Sequence, residues 1–340
     1  MHANDSWSVE EVTRIGDLEG LREEWAALCD RSPRATPFQR PEWLIPWWRA
    51  FPPGEPWVLV VRREGRLAGL APLLLYSGDG GRTVGFCGGG VSDYCDLVAG
   101  PDGEEATRAL LTFLVERRER WDVCDLEPLP EGSPLLRADP PEGFAAVVEP
   151  RDVCLGLDLP ERVEDLGAVV RTRQLSNLRK YRRHAETLGE LRLEAAGEES
   201  WEESLEVLIR FHLARREETG QPGMLGGEAL RAFHREVAAG FLGRGALGLY
   251  VLRLDGEPLA ALYGFREKGT FCAYMQGFDS AVAKLSPGVM VTGGAVEDAI
   301  RRGCRRFDFL RGREAYKTWW GARERPTFRW RFRPSRPSGQ

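Results

Sequence analysis

Two segments of the chain repeat the same order of predicted elements, and this repeat constrains the fold more than any other feature. Residues 57–76, "WVLVVRREGRLAGLAPLLLY", predict a strand, a tight turn ending at Gly65 and a second strand. Residues 247–265, "LGLYVLRLDGEPLAALYGF", predict the same hairpin, and its turn ends at Gly256, 191 positions after the first. A repeat of this kind predicts a duplicated domain.

Each predicted hairpin is followed by a strand, a helix and another strand. In the first half these segments are "TVGFCGGGVSDYCDLVAG", "EEATRALLTFLVERRER" and "WDVCDLEPL"; in the second half they are "FCAYMQGFD", "GVMVTGGAVEDAIRRG" and "CRRFDFLRG". A strand–helix–strand passage of this length favours a right-handed crossover between parallel strands. The predicted fold class is α/β (α+β), with two mixed, twisted sheets flanked by helices. We predict one domain over residues 1–150 and the other over residues 151–340.

Composition limits the function classes. The chain has 340 residues, of which 42% are hydrophobic and 29% charged, as expected for a soluble globular protein. No run of about 18 apolar residues and no signal-like start appear, so we expect no membrane span and a cytoplasmic location. Seven scattered cysteines without a CxxC pair, and only four histidines, argue against a metal site. The net charge of −5 argues against general nucleic-acid binding.

A basic segment links the two predicted domain cores. Residues 164–191 predict a helix whose cations are Arg171, Arg173, Arg179, Lys180, Arg182 and Arg183. These side chains are suited to the phosphates of CoA, of tRNA or of a nucleotide-linked substrate. Because Glu186 and Glu190 follow, a solvated helix face explains the run equally well. The core that would bind a donor is predicted over residues 246–334.

Several further polar groups are candidates for a site. "SDYCDL" places Asp93, Tyr94 and Asp96 at a strand end, where acids and a phenol suit binding of a hydroxyl or an amine; the alternative is a self-capped strand end. His212 and Arg215 lie three residues apart on one face of a predicted helix. His212 is a candidate general base, although a single histidine on a helix is commonly structural.

The stretch "FDFLRGREAYKTWWG", residues 307–321, follows a buried strand with a dense set of ionisable groups and ends at a pair of tryptophans. On composition alone it fits an ordinary charged loop anchored by aromatic rings. It also resembles a motif of known enzymes, together with "FQRPEWLIPWW", "SDYCDL", "NLRKYRR", "FHLARR" and "LSPGVM". On these segments the chain resembles bacterial two-domain GNAT acyltransferases of the cellulose-biosynthesis type, which are relatives of the Fem aminoacyltransferases. The resemblance runs from about residue 25 to about residue 334.

The resemblance implies tandem GNAT domains and a site for the donor in one of them. GNAT folds bind the CoA pyrophosphate at the start of the helix after the fourth strand, where free N–H groups favour anions. The first half has acids there, in "AGPDGEEA", whereas "AKLSPGVMV" in the second half has none. We therefore predict that acetyl-CoA or another acyl-CoA binds the second half; the alternative is that this segment only starts a helix. The predicted contacts are Lys284, Ser286, Pro287, Gly288 and Gln276.

The resemblance also implies roles for the residues after the fifth strand. Tyr316 would protonate the leaving thiolate, Lys317 would stabilise an anion, and Glu314 or His212 would act as the base. Arg311 is expected to bind the acceptor or phosphate; the alternative is that its side chain is only solvated. Trp319 and Trp320 are expected to pack the turn. The predicted substrate contacts are Asp93, Tyr94, Asp96, Arg215 and Arg311.

The function predicted is transfer of an acyl group, with acetyl as the first choice, from acyl-CoA to an amine or hydroxyl of a small-molecule or saccharide acceptor. The attack would be direct, without a covalent enzyme intermediate, because no Cys-His or Ser-His pairing is suggested. One alternative is a Fem-like transferase that uses aminoacyl-tRNA. Another is a non-catalytic GNAT-fold binding module. No metal cofactor is expected under any of them.

Overall fold

The computed structural model describes residues 7–51, 54–219 and 227–335, and of residues 215–219 it describes the backbone alone. None of the described helices is both long enough and apolar enough to cross a membrane.

The chain forms two units, and the second is inserted into the first. The first unit contains the residues up to Val153 and the segment from Arg325 onward; the second is Cys154–Glu324. The domain predicted over residues 151–340 includes this last segment. It belongs to the first because its strand pairs with a strand of that unit, with Phe328 opposite Leu129.

The first unit contains four α-helices among its described residues. They are α1 (Ile15–Gly20), α2 (Arg22–Arg31), α3 (Pro41–Ala50) and α4 (Gly103–Glu116). Its strands are β1 (Trp7–Val12), β2 (Glu55–Pro56), β3 (Val58–Arg63), β4 (Arg66–Ala71), β5 (Leu73–Gly78), β6 (Gly81–Phe86), β7 (Val98–Ala99), β8 (Val123–Pro130), the first part of β9 (Phe144–Asp158) and, after the second unit, β15 (Arg323–Pro334).

The predicted hairpin of the first half divides between two sheets. Glu64 and Gly65 both have positive φ angles and join β3 to β4, as predicted. The segment after the turn was expected to be one strand, but it breaks at Pro72. Because proline has no N–H to donate to a ladder, β4 ends there, and β5 starts again in another sheet. The resulting orders are β1-β3-β4-β7 and β15-β8-β6-β5-β2.

The last strand, β15, contains a register change that its sequence pattern does not indicate. The strict alternation of Phe328, Trp330 and Phe332 with arginines in β15 is typical of a strand with one buried face. Trp330 and Phe332 are buried, but a bulge between Phe328 and Trp330 places Thr327 in the core instead of Phe328. The Thr327 hydroxyl donates to the backbone oxygen of Asp152 at 3.1 Å.

The second unit is an α/β domain with the predicted hairpin and crossover. Its helices are α5 (Thr172–Glu186), α6 (Trp201–Thr219), α7 (Glu228–Gly243), α8 (Pro287–Arg301) and α9 (Ala315–Trp319). Its strands are β10 (Leu191–Ala195), β11 (Leu247–Leu254), β12 (Glu257–Glu267), β13 (Thr270–Phe278) and β14 (Arg306–Arg311), in that order across the sheet, and the last residues of β9 pair with β14.

Helices cover both faces of this sheet. Along β13, Gln276 contacts Gly288 of α8, whereas a Cβ on the neighbouring Gly277 would meet Phe211 of α6 at 2.8 Å. Because successive strand residues point to opposite faces, α8 and α6 lie on opposite sides of the sheet. β13 and β14 are parallel and are joined through α8, as the sequence predicted.

Candidate active site

The central feature of the second unit is a separation between two parallel strands. β13 and β14 pair at Thr270–Arg306, Phe271–Phe307 and Cys272–Asp308. Among the described residues no further pair joins these two strands, although β13 continues to Phe278. On this side of β13, the backbone N–H and C=O groups after Cys272 therefore do not pair with β14.

The separation begins beside a bulge in β13. Met275 lies opposite Tyr263 of β12, whereas Ala273 lies opposite the next residue, Gly264. Tyr274 is therefore an extra residue on β13, and the bulge bends the strand. This local kink accounts for the divergence of β13 from β14 just after Cys272.

The start of α8 is attached to the open part of β13 by side-chain hydrogen bonds. The Gln276 amide nitrogen donates to the Gly288 carbonyl at 3.2 Å, and the Thr292 hydroxyl lies 2.9 Å from the Gln276 side-chain oxygen. A Cβ at Gly288 would lie only 2.6 Å from that amide nitrogen, so glycine permits this approach. Thr292 is one helical turn after Gly288 on the same face, a spacing that could have identified it in the sequence.

The N-terminus of α8 is where an anion site is predicted. Ser286 is its N-cap by position, with a φ of 56°, but its hydroxyl makes no capping hydrogen bond. Pro287 is the first residue of the helix, Lys284 is exposed just before it, and the first turn contains no acid. Free N–H groups and the helix dipole therefore favour an anion at this end.

The corresponding helix of the first unit is different. The first turn of α4 contains Glu104 and Glu105, and Asp102 precedes it and pairs with Arg63 at 2.8 Å. Carboxylates already occupy the favourable field at this helix start and would repel a phosphate.

The backbone at the end of β14 is strained and tightly held. Leu310 has a φ of 58°, a conformation that bulky L-residues rarely adopt. Its N–H donates to the buried Asp308 carboxylate at 2.8 Å. The Lys317 ammonium, also buried, donates to the carbonyls of Leu310, Arg311 and Gly312 at 3.3, 2.6 and 3.3 Å. The Lys317 ammonium, through three carbonyls, and the Asp308 carboxylate, through one N–H, thus fix one turn of backbone.

Lys317 lies beneath this turn rather than facing an open surface. Its ammonium also pairs with Glu314 at 2.9 Å, and Glu314 is the N-cap residue of α9. Arg311 is exposed at the end of β14, while Arg313 pairs with Glu324 at 3.1 Å. The turn therefore presents Arg311 and Glu314 outward, while Lys317 holds it from within.

The aromatic residues of this segment have separate environments. Tyr316 packs edge-on against Phe309, with ring centroids 6.2 Å apart. Trp320 is buried, as expected, but Trp319 is 49% exposed and does not pack the turn. Gly321 ends the motif with a φ of 89°, and a Cβ there would lie 2.5 Å from the Val169 carbonyl, so this position requires glycine.

His212 lies against the open part of β13. Its backbone nitrogen would be 3.1 Å from a Cβ at Gly277, one residue after Gln276. The side chain of Arg215, its predicted partner, lies outside the described residues. Nearby His234 of α7 is buried, and burial, with a smaller effect of His212, lowers its pKa from 6.5 to about 3. His234 is therefore neutral near pH 7.

The predicted substrate residues of the first unit are all buried. The Tyr94 carbonyl accepts from the Gln39 amide at 2.8 Å, and Asp93 is largely covered. Asp96 accepts from the Ser133 hydroxyl at 2.8 Å. Burial raises its pKa from 3.8 to about 7, despite this hydrogen bond and one from the Leu97 N–H. Contact of these residues with a substrate stays a prediction.

The basic helix is shorter than predicted, and its cations differ in exposure and pairing. Of the predicted span 164–191, residues Thr172–Glu186 form α5. Arg182 is half-buried and forms a two-pronged ion pair with Glu297 at 2.7 and 3.2 Å. The remaining cations are exposed and form no ion pair with any described residue: Arg171, Arg173, Arg179, Lys180 and Arg183.

Two features of the site were not predicted from the sequence. Asp308 fixes the N–H of the strained Leu310, a contact that the strand pattern does not indicate. The bulge at Tyr274 leaves no composition signal, because a bulge depends on the partner strand. Among the described residues, no cluster of three or more histidine, cysteine or acidic side chains could hold a metal ion.

The comparisons with known proteins agree with this geometry. Residues 172–318 match the acetyltransferase (GNAT) domain family. No curated protein matches the chain by sequence. The fold is similar to the crystal structure of FemX, with a TM-score of 0.69 and 12% identity over 95% of this chain and 96% of FemX.

Two further solved structures share the fold. The C-terminal domain of a putative lysylphosphatidylglycerol synthetase from Agrobacterium fabrum has a TM-score of 0.58 and 13% identity, covering 92% of this chain and 91% of that one. L-PGS from Bacillus licheniformis has a TM-score of 0.59 and 10% identity, covering 91% and 90%. The second unit thus carries an acetyltransferase (GNAT) domain, and the chain as a whole has the two-domain, Fem-like fold of the GNAT superfamily.

Proposed function

We propose that the second unit transfers an acyl group, with acetyl as the first choice, from acyl-CoA to an amine or hydroxyl of a small-molecule or saccharide acceptor. One observation carries the proposal: β13 and β14 separate beside a helix N-terminus that has no acid in its first turn. An acyl-CoA bound between β13 and β14 would have its phosphates at α8 and its thioester carbon beside the edge of β13 that does not pair with β14.

The donor would contact the start of α8. Lys284 supplies an exposed positive charge, and the Ser286 hydroxyl and the Gly288 N–H supply hydrogen-bond donors. Pro287 orients the first turn without adding an N–H that would need a partner. Gln276 contributes by fixing the Gly288 carbonyl and with it the orientation of the turn.

The chemistry would be a direct displacement. The acceptor nitrogen or oxygen attacks the thioester carbonyl carbon, and an N–H of β13 stabilises the developing oxyanion. Glu314 or His212 takes the proton from the acceptor, and Tyr316 gives a proton to the departing thiolate. Arg311 is proposed to orient the acceptor. Lys317 is proposed to act through the turn that it holds, because carbonyls and Glu314 surround its ammonium.

A pair of matched variants tests the position of the donor. Gly288→Asp places a carboxylate at the start of α8 and displaces only the end of the Gln276 side chain. Gly103→Asp makes the same change at the start of α4, where a Cβ has ordinary contacts of 3.5 Å. Calorimetry with acetyl-CoA should show at least tenfold weaker binding for the first variant and nearly unchanged binding for the second. An equal loss in both would contradict the assignment.

A second candidate donor is aminoacyl-tRNA, favoured by the exposed cations of α5 that form no ion pair within the part of the chain that the structure describes. Thermal shift of the parent protein with acetyl-CoA, a longer acyl-CoA and aminoacyl-tRNA separates the candidates, because a ligand at 100 times its Kd adds about 2.7 kcal/mol of stability. We expect stabilisation by an acyl-CoA. Stabilisation by aminoacyl-tRNA alone would favour the Fem-like alternative, and stabilisation by none of the three would favour a binding module.

A further inference from the structure

The sheet of the second unit has an open edge at β10. β10 pairs on one side with β11, with Leu193 opposite Leu252. Among the described residues no strand pairs with its other side. An uncovered strand edge exposes a row of N–H and C=O groups that can pair with another strand.

The outward groups of this edge can be identified from the ladder. The Ala196 N–H donates to the Leu249 carbonyl, and the Asp255 N–H donates to the Glu190 carbonyl. In an antiparallel ladder the residues whose backbone groups face the partner alternate along the strand. Even-numbered residues therefore face β11. The outward groups belong to Leu191, Leu193 and Ala195.

The side chains of these same three residues form a partly exposed apolar surface. They line a cavity of about 330 Å³ together with residues of α8 such as Met290. Leu193 is 38% exposed, which is unusual for a leucine on a strand whose neighbours in the sheet are buried. An additional strand along this edge would cover part of this surface.

The charged residues of β10 make the strand complementary to itself. In an antiparallel pair of two copies centred on Leu193, Arg192 of each copy lies opposite Glu194 of the other, and Leu191 lies opposite Ala195. Within one copy, Arg192 is 65% exposed and pairs with Glu190, and Glu194 pairs with Arg253 of β11 at 2.8 Å, so the strand pair would add a second, facing partner to each. All three outward-facing residues can then exchange backbone hydrogen bonds.

Other registers are disfavoured by the same charges. A shift of two residues in one direction places Arg192 opposite its own copy, and a shift in the other direction does the same for Glu194. Like charges directly opposite each other destabilise a strand pair. A shift of one residue turns the apolar side chains to the opposite face. The sequence of β10 thus selects a single register.

We propose that a second copy of this chain binds here, through antiparallel pairing of β10 with β10 about a two-fold axis at Leu193. A small interface of this kind predicts a reversible monomer–dimer equilibrium rather than a permanent dimer. The proposal is independent of the function proposed above.

Charge reversal tests the register. Sedimentation equilibrium of the full chain should show self-association, and Arg192→Glu should weaken it at least tenfold by placing two carboxylates opposite each other. Arg192→Glu combined with Glu194→Arg restores complementarity and should return the dimer constant to within about threefold of the parent. Arg179→Glu on α5 makes the same change in net charge and should have no effect. A parent protein that stays monomeric, or a double variant as weak as the single one, would overturn the proposal.

Cross-linking gives a second measurement that does not depend on charge. All seven native cysteines are buried, so an exposed engineered cysteine is the reactive one. Leu193→Cys should form a covalent dimer under mild oxidation, because opposite residues of an antiparallel pair are about 5.5 Å apart between Cα atoms. Leu188→Cys is exposed but lies off the strand, and it should not cross-link. Equal cross-linking of both variants would contradict pairing at β10.

Discussion

Leu310 shows how single residues define the candidate site. Its left-handed backbone costs about 1–2 kcal/mol, and it persists only because neighbouring groups hold it. Asp308 binds its N–H and Lys317 binds its C=O. The turn therefore presents Arg311 and Glu314 in a fixed arrangement. Strain held in this way is common where a backbone must be ready for a ligand.

Replacing Lys317 by methionine should mainly lower stability. The change removes a buried charge that satisfies three carbonyls and Glu314, so we expect a loss of about 2–4 kcal/mol in the free energy of unfolding. Chemical denaturation measures this loss. The control Lys284→Met, at an exposed position, should stay within about 0.5 kcal/mol of the parent while acyl-CoA affinity falls. If Lys317→Met unfolds like the parent, the ammonium does not hold the turn.

Tyr316→Phe should separate chemistry from packing. The ring keeps its edge-on contact with Phe309, so stability should change little. If the hydroxyl protonates the leaving thiolate, turnover should fall by roughly 100-fold while donor affinity is preserved. Steady-state kinetics with an identified acceptor measures both quantities. Full turnover in this variant would remove Tyr316 from the proposed mechanism.

The sequence predicted which segment would be crowded with polar groups, but not what each group does. The types and order of residues in 307–321 identified the motif. Lys317 and Trp320 are buried, whereas Glu314 and Trp319 are exposed. Residue type does not predict this difference. The difference depends on how the short helix α9 turns against β14, which tertiary packing determines.

At the scale of elements, α8 is fixed on three sides by close contacts at its glycines. Gly288 admits Gln276, Gly293 admits Leu178 of α5, and Gly294 admits Leu193 of β10. These contacts fix the orientation of the helix start at which the donor is proposed to bind.

The glycines on α8 should differ in their tolerance of a methyl group. A Cβ at Gly293 would lie 2.7 Å from Leu178, which is buried and cannot move aside, so Gly293→Ala should cost about 1–3 kcal/mol. At Gly294 the obstacle is the end of the half-exposed Leu193 side chain, so Gly294→Ala should cost less than about 1 kcal/mol. Denaturation of both variants makes the comparison, and Leu178→Val should partly rescue Gly293→Ala. Equal costs would show that packing at α5 is not rigid.

Local signals predicted the elements better than their assembly. The acidic residue and glycine at positions 64–65 and 255–256 identified both hairpin turns because they tolerate positive φ. The break at Pro72 separates β4 and β5 into different sheets. The pattern of residues in 66–76 does not specify a sheet, so this division was missed.

For the whole molecule, two buried titratable groups, one in each unit, make stability depend on pH in opposite directions. In the first unit, Asp96 has its pKa raised to about 7. Between pH 4 and 7 the folded state keeps a proton that the unfolded chain has released, so stability falls as pH rises, by up to about 1.4 kcal/mol per pH unit. Asp96→Asn should remove this dependence in pH-resolved denaturation. An unchanged slope would show that Asp96 is ionised when folded.

His234 in the second unit has the opposite sign. Its pKa is lowered to about 3, so between pH 6.5 and 3 the unfolded chain binds a proton that the folded state does not. Stability from this group is complete above pH 6.5 and falls on acidification. His234→Gln should flatten the acid side of the stability profile, measured for the unfolding transition of the second unit. A profile that still falls as steeply would assign the acid sensitivity to other groups.

β15 has a consequence for the order of events during synthesis. Trp330 and Phe332 complete the core of the first unit, but they follow the whole second unit in the chain. While the ribosome is making residues 154–324, β8 lacks this partner strand and part of its core. The inserted unit can therefore fold cotranslationally before the surrounding unit is complete. The ribosome therefore begins synthesis with the first unit, but the core of this unit is completed after that of the second.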